Sequence, residues 1–259
     1  MKRFALIGEK LGHSLSAPIH NRYFDIAEMD ARYELLAIAR GSFDREFEAI
    51  LNAGYDGINV TIPYKLSVME HLHEIAPEAK EIGAVNTIAF ENGRRIGYNT
   101  DFYGLLATFE RFGISVLGKR VVILGTGGAS RAVWAVCRHL GAADILFVSR
   151  EKTEHLGCAA KRYDAYLSGD LLINATPCGM YPNQNACPIA GELHFLQVMD
   201  LIYNPRQTLL LKQAALQGLT AVNGLYMLVA QGIRSQAIWN KTETDRQAIE
   251  KIYHEVNEQ

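Results

Sequence analysis

The chain has 259 residues, 49% hydrophobic and 21% charged, with a formal net charge of −2 and a pI near 6.5. That length buries one large core or two smaller ones. The near-neutral charge excludes the basic field that nucleic acid or an anionic membrane surface requires.

Residues 4–8 read as a strand, and residues 18–29 as a helix with Ile19, Tyr23, Ile26 and Ala27 on one face. A second strand covers residues 33–39. Ser42 is placed to cap a helix with Asp44 and Glu46 in its first turn and Phe43, Phe47, Ile50 and Leu51 on one stripe. Residues 57–63 form a third strand, stopped by Pro63. Residues 85–90 and 95–98 flank Asn92-Gly93, a strong hairpin signal. That antiparallel excursion is foreign to a purely wound nucleotide fold and marks a separate α/β domain. A helix starts near Asp101, with Leu105, Leu106, Phe109 and Phe112 on its buried side.

The second half alternates strands and helices: strand 121–124, helix 129–140, strand 145–148, helix near 153–162 and strand 171–174. Strand 197–200, helix 208–217 and strand 220–222 follow, which predicts a parallel sheet with helices on both faces. Residues 225–239 and 242–256 are helical, and Ile249, Ile252, Tyr253 and Val256 make an apolar face in the second. Residues 213–233 carry no charge, but Gln213, Gln217, Asn223 and Gly224 interrupt the run, so it reads as helix–strand–helix and not a membrane span.

The apolar run at the N-terminus, Met1-Lys-Arg-Phe-Ala-Leu-Ile-Gly8, is too short for a signal peptide. Cys137, Cys158, Cys178 and Cys187 show no C-x-x-C spacing, so reduced thiols in a cytoplasmic protein are expected. His71 and His73 lie two apart and face different ways on a helix, so no metal site is expected there.

Gly125-Thr-Gly-Gly-Ala129 follows an apolar strand directly and opens into a helix. Closely spaced glycines let backbone N–H groups approach a pyrophosphate, and the helix N-terminus favours the anion. The last position of a G-x-G-x-x-G pattern is Ser130 here, so the turn reads either as a dinucleotide site or as a tight strand–helix connection. The next strand ends in Val148-Ser149-Arg150, where arginine suits a 2′-phosphate; Glu151 opposes that anion and Lys152 offsets it.

Three polar clusters remain. Ser14 and Ser16 lie on one side if the chain is extended, suited to one carboxylate or polyol, or one of them caps a helix. Asn59 and Thr61 project from one strand face, with Lys65 just past the proline stop, either a surface charge or a proton-transfer group. Asn99-Thr-Asp101 follows the hairpin; Asp101 either caps the next helix or, if it lies beside Lys65, orients the amine.

Together, His13-Ser-Leu-Ser16, Asn59-Val-Thr-Ile-Pro-Tyr-Lys65, Gly83-Ala-Val-Asn-Thr87, Asn99-Thr-Asp101 and the glycine turn resemble the shikimate dehydrogenase family. Asn174-Ala-Thr-Pro177, Asp200-Leu-Ile-Tyr203 and Gly224-Leu-Tyr-Met-Leu-Val-Ala-Gln231 extend the resemblance in family order. It implies an α/β fold: an N-terminal α/β substrate-binding and catalytic domain (residues 1–102 plus 225–259, the C-terminal helices returning to it) and a Rossmann-type, doubly wound parallel-sheet dinucleotide domain (residues 103–224). The implied activity is NADP-dependent, reversible reduction of 3-dehydroshikimate to shikimate in aromatic amino acid biosynthesis, with a small-molecule substrate and no metal.

By position, the resemblance makes Lys65 the general acid/base, oriented by Asp101. Ser14 and Ser16 would bind the substrate carboxylate, and Asn59, Thr61, Asn86, Asp101 and Gln231 its hydroxyls, with Tyr203 nearby. Gly125, Thr126, Gly127, Gly128 and Ala129 would cradle the pyrophosphate, and Ser149, Arg150 and Lys152 would face the 2′-phosphate. Thr176, Ile202 and Gly224 would line the nicotinamide side. The family usually has Pro directly after the second serine and Asn-Arg-Thr at the second nucleotide strand, where this chain has Ala17 and Ser149-Arg-Glu151. The alternatives are a quinate/shikimate dehydrogenase using NAD, or a non-catalytic nucleotide-sensing regulatory module.

Overall fold

The computed structural model describes residues 1–151 and 153–258 and divides into two units, Met1–Gly104 with Leu228–Gln259, and Leu105–Met227. The first contains β1 (Lys2–Gly8), α1 (Ser16–Ile26), β2 (Ala31–Ala37), α2 (Phe43–Leu51) and β3 (Gly57–Val60). It continues with β4 (Glu74–Ile75), α3 (Pro77–Ile82), β5 (Thr87–Glu91) and β6 (Arg94–Tyr98). The unit boundary falls inside α4 (Thr100–Arg111).

The first sheet runs β2-β1-β3-β5-β6-β4, with β1 parallel to β2 and β3, and β5 antiparallel to β3 and β6. The hairpin turn is Asn92-Gly93, both at positive φ (49° and 75°), as a two-residue turn matched to strand twist requires. Phe43, Phe47 and Leu51 of α2 bury against Ile7, Ile58 and Ile88 of the sheet. Each such side chain contributes about 1.5–3 kcal/mol, which fixes α2 by its apolar stripe. Ser42 does not cap it: its hydroxyl donates backward to the Ala39 carbonyl at 3.1 Å.

The second unit holds β7 (Arg120–Leu124), α5 (Gly128–His139), β8 (Asp144–Val148), β9 (Glu154–His155), β10 (Cys158–Lys161) and β11 (Leu171–Asn174). β12 (Gln197–Asp200), α6 (Leu209–Leu216) and β13 (Thr220–Asn223) complete it, and the boundary recurs inside α7 (Leu225–Asn240) before α8 (Arg246–Asn257). The sheet order is β13-β12-β11-β7-β8-β10-β9, all parallel except the β9–β10 pair. Strand order therefore reverses at β7, the hallmark of a doubly wound dinucleotide fold. Residues 121–124 are each fully buried, as a parallel strand covered on both faces must be.

The helix expected near residues 153–162 is instead the β9–β10 hairpin. Leu156 and Gly157 both take positive φ (53° and 72°), so the chain reverses in two residues and pairs His155 with Cys158. The third strand also ends sooner than expected, at Val60, because Tyr64 N–H turns back to the Thr61 carbonyl at 2.9 Å. The last helix begins at Arg246 and not at residue 242, because Asp245 accepts the Ala248 N–H at 2.9 Å as its cap. Among the described residues no helix is long and apolar enough to cross a membrane.

Candidate active site

Three chain segments meet at one edge of the first sheet. Asn59 of β3 pairs with Thr87 of β5, and Thr87 with Tyr98 of β6, so β3 and β6 end where β5 begins. Residues just beyond that edge are Lys65, Asn86 and Asp101. The Lys65 carbonyl accepts the Val85 N–H at 2.8 Å, which ties the segment after β3 to the start of β5.

Lys65 Nζ donates to Asp101 Oδ2 at 2.5 Å across 36 positions, with the two side chains 13% and 7% exposed. Asp101 is the second residue of α4, where the helix dipole favours a carboxylate. Its side chain therefore points to the amine and does not simply close a cap. Asn86 Nδ2 holds the other carboxylate oxygen at 2.9 Å, while Asn86 Oδ1 accepts Thr100 N–H at 2.8 Å and the Thr87 hydroxyl at 3.0 Å. With both Asn86 ends engaged, the carboxylate has one orientation.

From α7, Gln231 reaches the same cluster: Thr100 Oγ1 donates to its Oε1 at 3.2 Å, and its Nε2 donates to the Leu228 carbonyl at 2.9 Å. Ser235, one helical turn on and fully buried, lies 3.0 Å from Thr87 Oγ1 and 3.2 Å from Thr100 Oγ1. Thr87 and Thr100 lie within the motifs that carry the resemblance but are given no role there, and Ser235 lies outside those motifs. Ser235 carries the one local signal, its i+4 spacing from Gln231 on a helix.

Ser14 and Ser16 lie at the start of α1. Ser16 N–H donates to Ser14 Oγ at 3.2 Å, so the two are linked by a turn and not by strand alternation. Thr61 is half-buried just past β3, its N–H given to the Ile7 carbonyl at 2.9 Å. Asn59, expected at the substrate hydroxyls, turns into the fold. Its Oδ1 accepts the Tyr33 hydroxyl at 2.7 Å, its Nδ2 faces Thr87 Oγ1 and Ser235 Oγ at 3.0 Å each, and it is 4% exposed. That amide is engaged at both ends and acts from beneath the cluster.

In the second unit, Gly125 follows β7 at φ +96°, and a Cβ there would meet the Thr176 methyl at 2.8 Å. Gly127 precedes α5, and a Cβ on it would meet nothing within 4 Å, leaving open space over the helix N-terminus. Thr126, Gly128 and Ala129 complete the turn, and Ser130, buried, donates its hydroxyl to the Gly127 carbonyl at 2.7 Å. The residue that departs from the glycine pattern thus braces the turn. Exposed helix N–H groups, glycine-lined space and a strand-order switch fit a dinucleotide phosphate.

Ser149 is buried at the end of β8 and accepts the Glu151 N–H at 3.3 Å, which leaves Arg150 exposed at the tip. Lys152 lies outside the described residues. Thr176 donates N–H and Oγ1 to Asn174 Oδ1 at 3.0 and 2.7 Å. Ile202 is buried and Tyr203 half-buried beyond β12. Gly224 N–H donates to the Ile202 carbonyl at 3.1 Å, and any side chain at 224 would overlap the Leu201 backbone.

Comparison with known proteins places this geometry among relatives. Residues 6–88 match the family model described as the shikimate dehydrogenase substrate binding domain. A shikimate dehydrogenase (NADP(+)) of Clostridium perfringens strain 13 is 41% identical, covering 99% of this chain and 98% of its own. A crystal structure of shikimate dehydrogenase 1 from Peptoclostridium difficile superposes with a TM-score of 0.93 at 40% identity, over 99% of this chain and 98% of that one. Another, from Thermus thermophilus in complex with NADP(H) and shikimate, gives 0.86 at 30% identity, over 98% and 99%.

Proposed function

The chain belongs to the shikimate dehydrogenase family, and from that premise we propose that it reduces 3-dehydroshikimate to shikimate with NADPH, reversibly, as a cytoplasmic step of aromatic amino acid biosynthesis. The observation that carries this reading is the Lys65–Asp101 pair, 2.5 Å apart and nearly buried, with Asn86 fixing the second carboxylate oxygen. A binding-only module has no use for an amine held in this way, which sets aside the regulatory alternative.

NADPH supplies the hydride. As the substrate carbonyl is reduced, negative charge grows on its oxygen, and Lys65 donates a proton to it. Asp101 keeps the ammonium at that position, and in the reverse direction the neutral amine takes the proton back. Ser14 and Ser16 bind the substrate carboxylate through their hydroxyls at the start of α1, where the helix dipole also favours the anion. Thr61, Asn86, Asp101 and Gln231 hold the ring hydroxyls. The glycine turn takes the pyrophosphate, Thr176, Ile202 and Gly224 the nicotinamide, and Ser149 and Arg150 the 2′-phosphate.

Absorbance at 340 nm with shikimate and quinate, each against NADP⁺ and NAD⁺, tests the reading. Shikimate with NADP⁺ is expected to give the highest kcat/KM. A higher value for quinate with NAD⁺ would replace it with the quinate/shikimate alternative, which Glu151 beside Arg150 favours. Arg150→Ala isolates the 2′-phosphate contact. Loss of a charged hydrogen bond costs about 1.5–3 kcal/mol, so KM for NADP⁺ is expected to rise about ten- to a hundredfold. KM for NAD⁺ should hardly move, and an equal rise for both would take Arg150 away from the phosphate.

A further inference from the structure

Asp200 ends β12 with its carboxylate fully buried, and the catalytic scheme gives it no task. Its Oδ1 accepts Asn174 Nδ2 at 3.0 Å and Ile202 N–H at 3.1 Å, and its Oδ2 accepts the Thr208 hydroxyl at 2.7 Å. All three donors are neutral. Burial pushes the carboxyl up to about 6 against the pull of those hydrogen bonds. A buried charge met only by neutral donors is an expensive way to stabilise a fold.

What the carboxylate joins explains its presence. Asn174 ends β11, and its Oδ1 fixes both Thr176 N–H and Thr176 Oγ1. The Thr176 methyl closes on Gly125 after β7. On the other side Asp200 fixes Ile202, whose carbonyl takes the N–H of Gly224 after β13. Four strand ends, β7, β11, β12 and β13, are thus joined by hydrogen bonds and contacts that radiate from one side chain. They form the C-terminal edge of a parallel sheet at its switch point, where such folds bind ligands.

We propose that Asp200 is the positioning residue of the nicotinamide side of the coenzyme site, setting Thr176 (by way of Asn174) and Ile202 at once through its Oδ1, while Oδ2 is held by Thr208. The inference rests on the coenzyme reading above. An amide in its place keeps part of the function: in D200N the side-chain carbonyl oxygen still accepts from Asn174 and Ile202, while the N–H₂ end faces a Thr208 hydroxyl able to accept.

The test is fluorescence titration of NADPH together with both Michaelis constants, on wild type, D200A and D200N. D200A should raise Kd and KM for NADPH about tenfold or more, leave KM for shikimate within about twofold, and be largely rescued in D200N. A residue that served stability alone would lower Tm and the active fraction and move neither constant. NADPH binding by D200A within about twofold of wild type, or equal rises in both KM values, overturns the inference. If D200A does not fold by circular dichroism, N174A takes its place: it frees Thr176 with Asp200 intact and should weaken NADPH binding alone, and unchanged binding there overturns the inference too. Wild type that binds no NADPH overturns the coenzyme reading itself, a different result from wild type and variant binding it equally.

Discussion

Lys65→Ala should lower kcat by about a thousandfold while NADPH binds within about twofold of wild type. A positioned general acid contributes about 10²–10⁴ in rate, and the groups bonded around Asp101 offer no second acid in its place. Asn86 already donates to Asp101, and the hydroxyls of Thr87 and Thr100 are turned to Asn86, Gln231 and Ser235. The variant also leaves the Asp101 carboxylate, 7% exposed, without its cation, which repels charge developing on a substrate oxygen. Both effects act on the transition state, so kcat falls more than KM changes. NADPH titration is the control, since the glycine turn, Thr176 and Ile202 do not depend on Lys65. A kcat within about tenfold of wild type, a loss of only ~1.4 kcal/mol, would remove Lys65 from proton transfer.

The glycine turn is legible in the sequence because its chemistry is local: a strand, a residue at positive φ and a helix start follow within a few positions. The Asn92-Gly93 hairpin is legible for the same reason. The meeting of Lys65 with Asp101 is not, since no spacing rule joins residues 36 apart. It follows from register, Asn59 opposite Thr87 opposite Tyr98, and a one-residue slip would turn Asn86 to the other face. The family resemblance places Asn59 at the substrate hydroxyls by its position in Asn59-Val-Thr-Ile-Pro-Tyr-Lys65. In the structure its side chain meets Tyr33, Thr87 and Ser235, and the residues that bear on Asp101 through Asn86 are the less conspicuous Thr87 and Thr100. Residues 153–162 mislead because a short alternating segment, Cys158-Ala-Ala-Lys161, has the composition of a helix, and only the Leu156-Gly157 turn decides for a hairpin. Asp200 reads as one letter of a motif until its three donors are seen.

Replacing His20 by glutamine should flatten the acid limb of the stability curve of the first unit. His20 is 1% exposed, stacked on Tyr33 at 4.0 Å and 6°, and its Nδ1 accepts Gln236 Nε2 at 2.7 Å. Gln236 Oε1 is taken by Asn240, so its N–H₂ end faces the ring, and a proton on Nδ1 would have to displace that bond. Burial holds the imidazole down at about 3 from an ordinary 6.5. Between those values the unfolded chain binds the proton and the folded one does not, so stability rises with pH, by roughly 5 kcal/mol over the whole window, and is lost as pH falls from 6.5. Asp200 works in the opposite sense. Its carboxyl, raised from 3.8 to about 6, takes a proton in the folded state first, so the second unit gains roughly 3 kcal/mol on acidification through that window. Each unit contains one tryptophan, Trp239 in the first and Trp134 in the second, and denaturant unfolding followed in W134F and W239F backgrounds reads them separately. Between pH 7 and 4.5, wild type should lose roughly 3 kcal/mol more than H20Q by Trp239, whereas D200N should forgo a gain of roughly 2 kcal/mol by Trp134. Parallel wild-type and H20Q curves would mean that His20 titrates in the folded protein, and that the stack on Tyr33 opens to water well above pH 3.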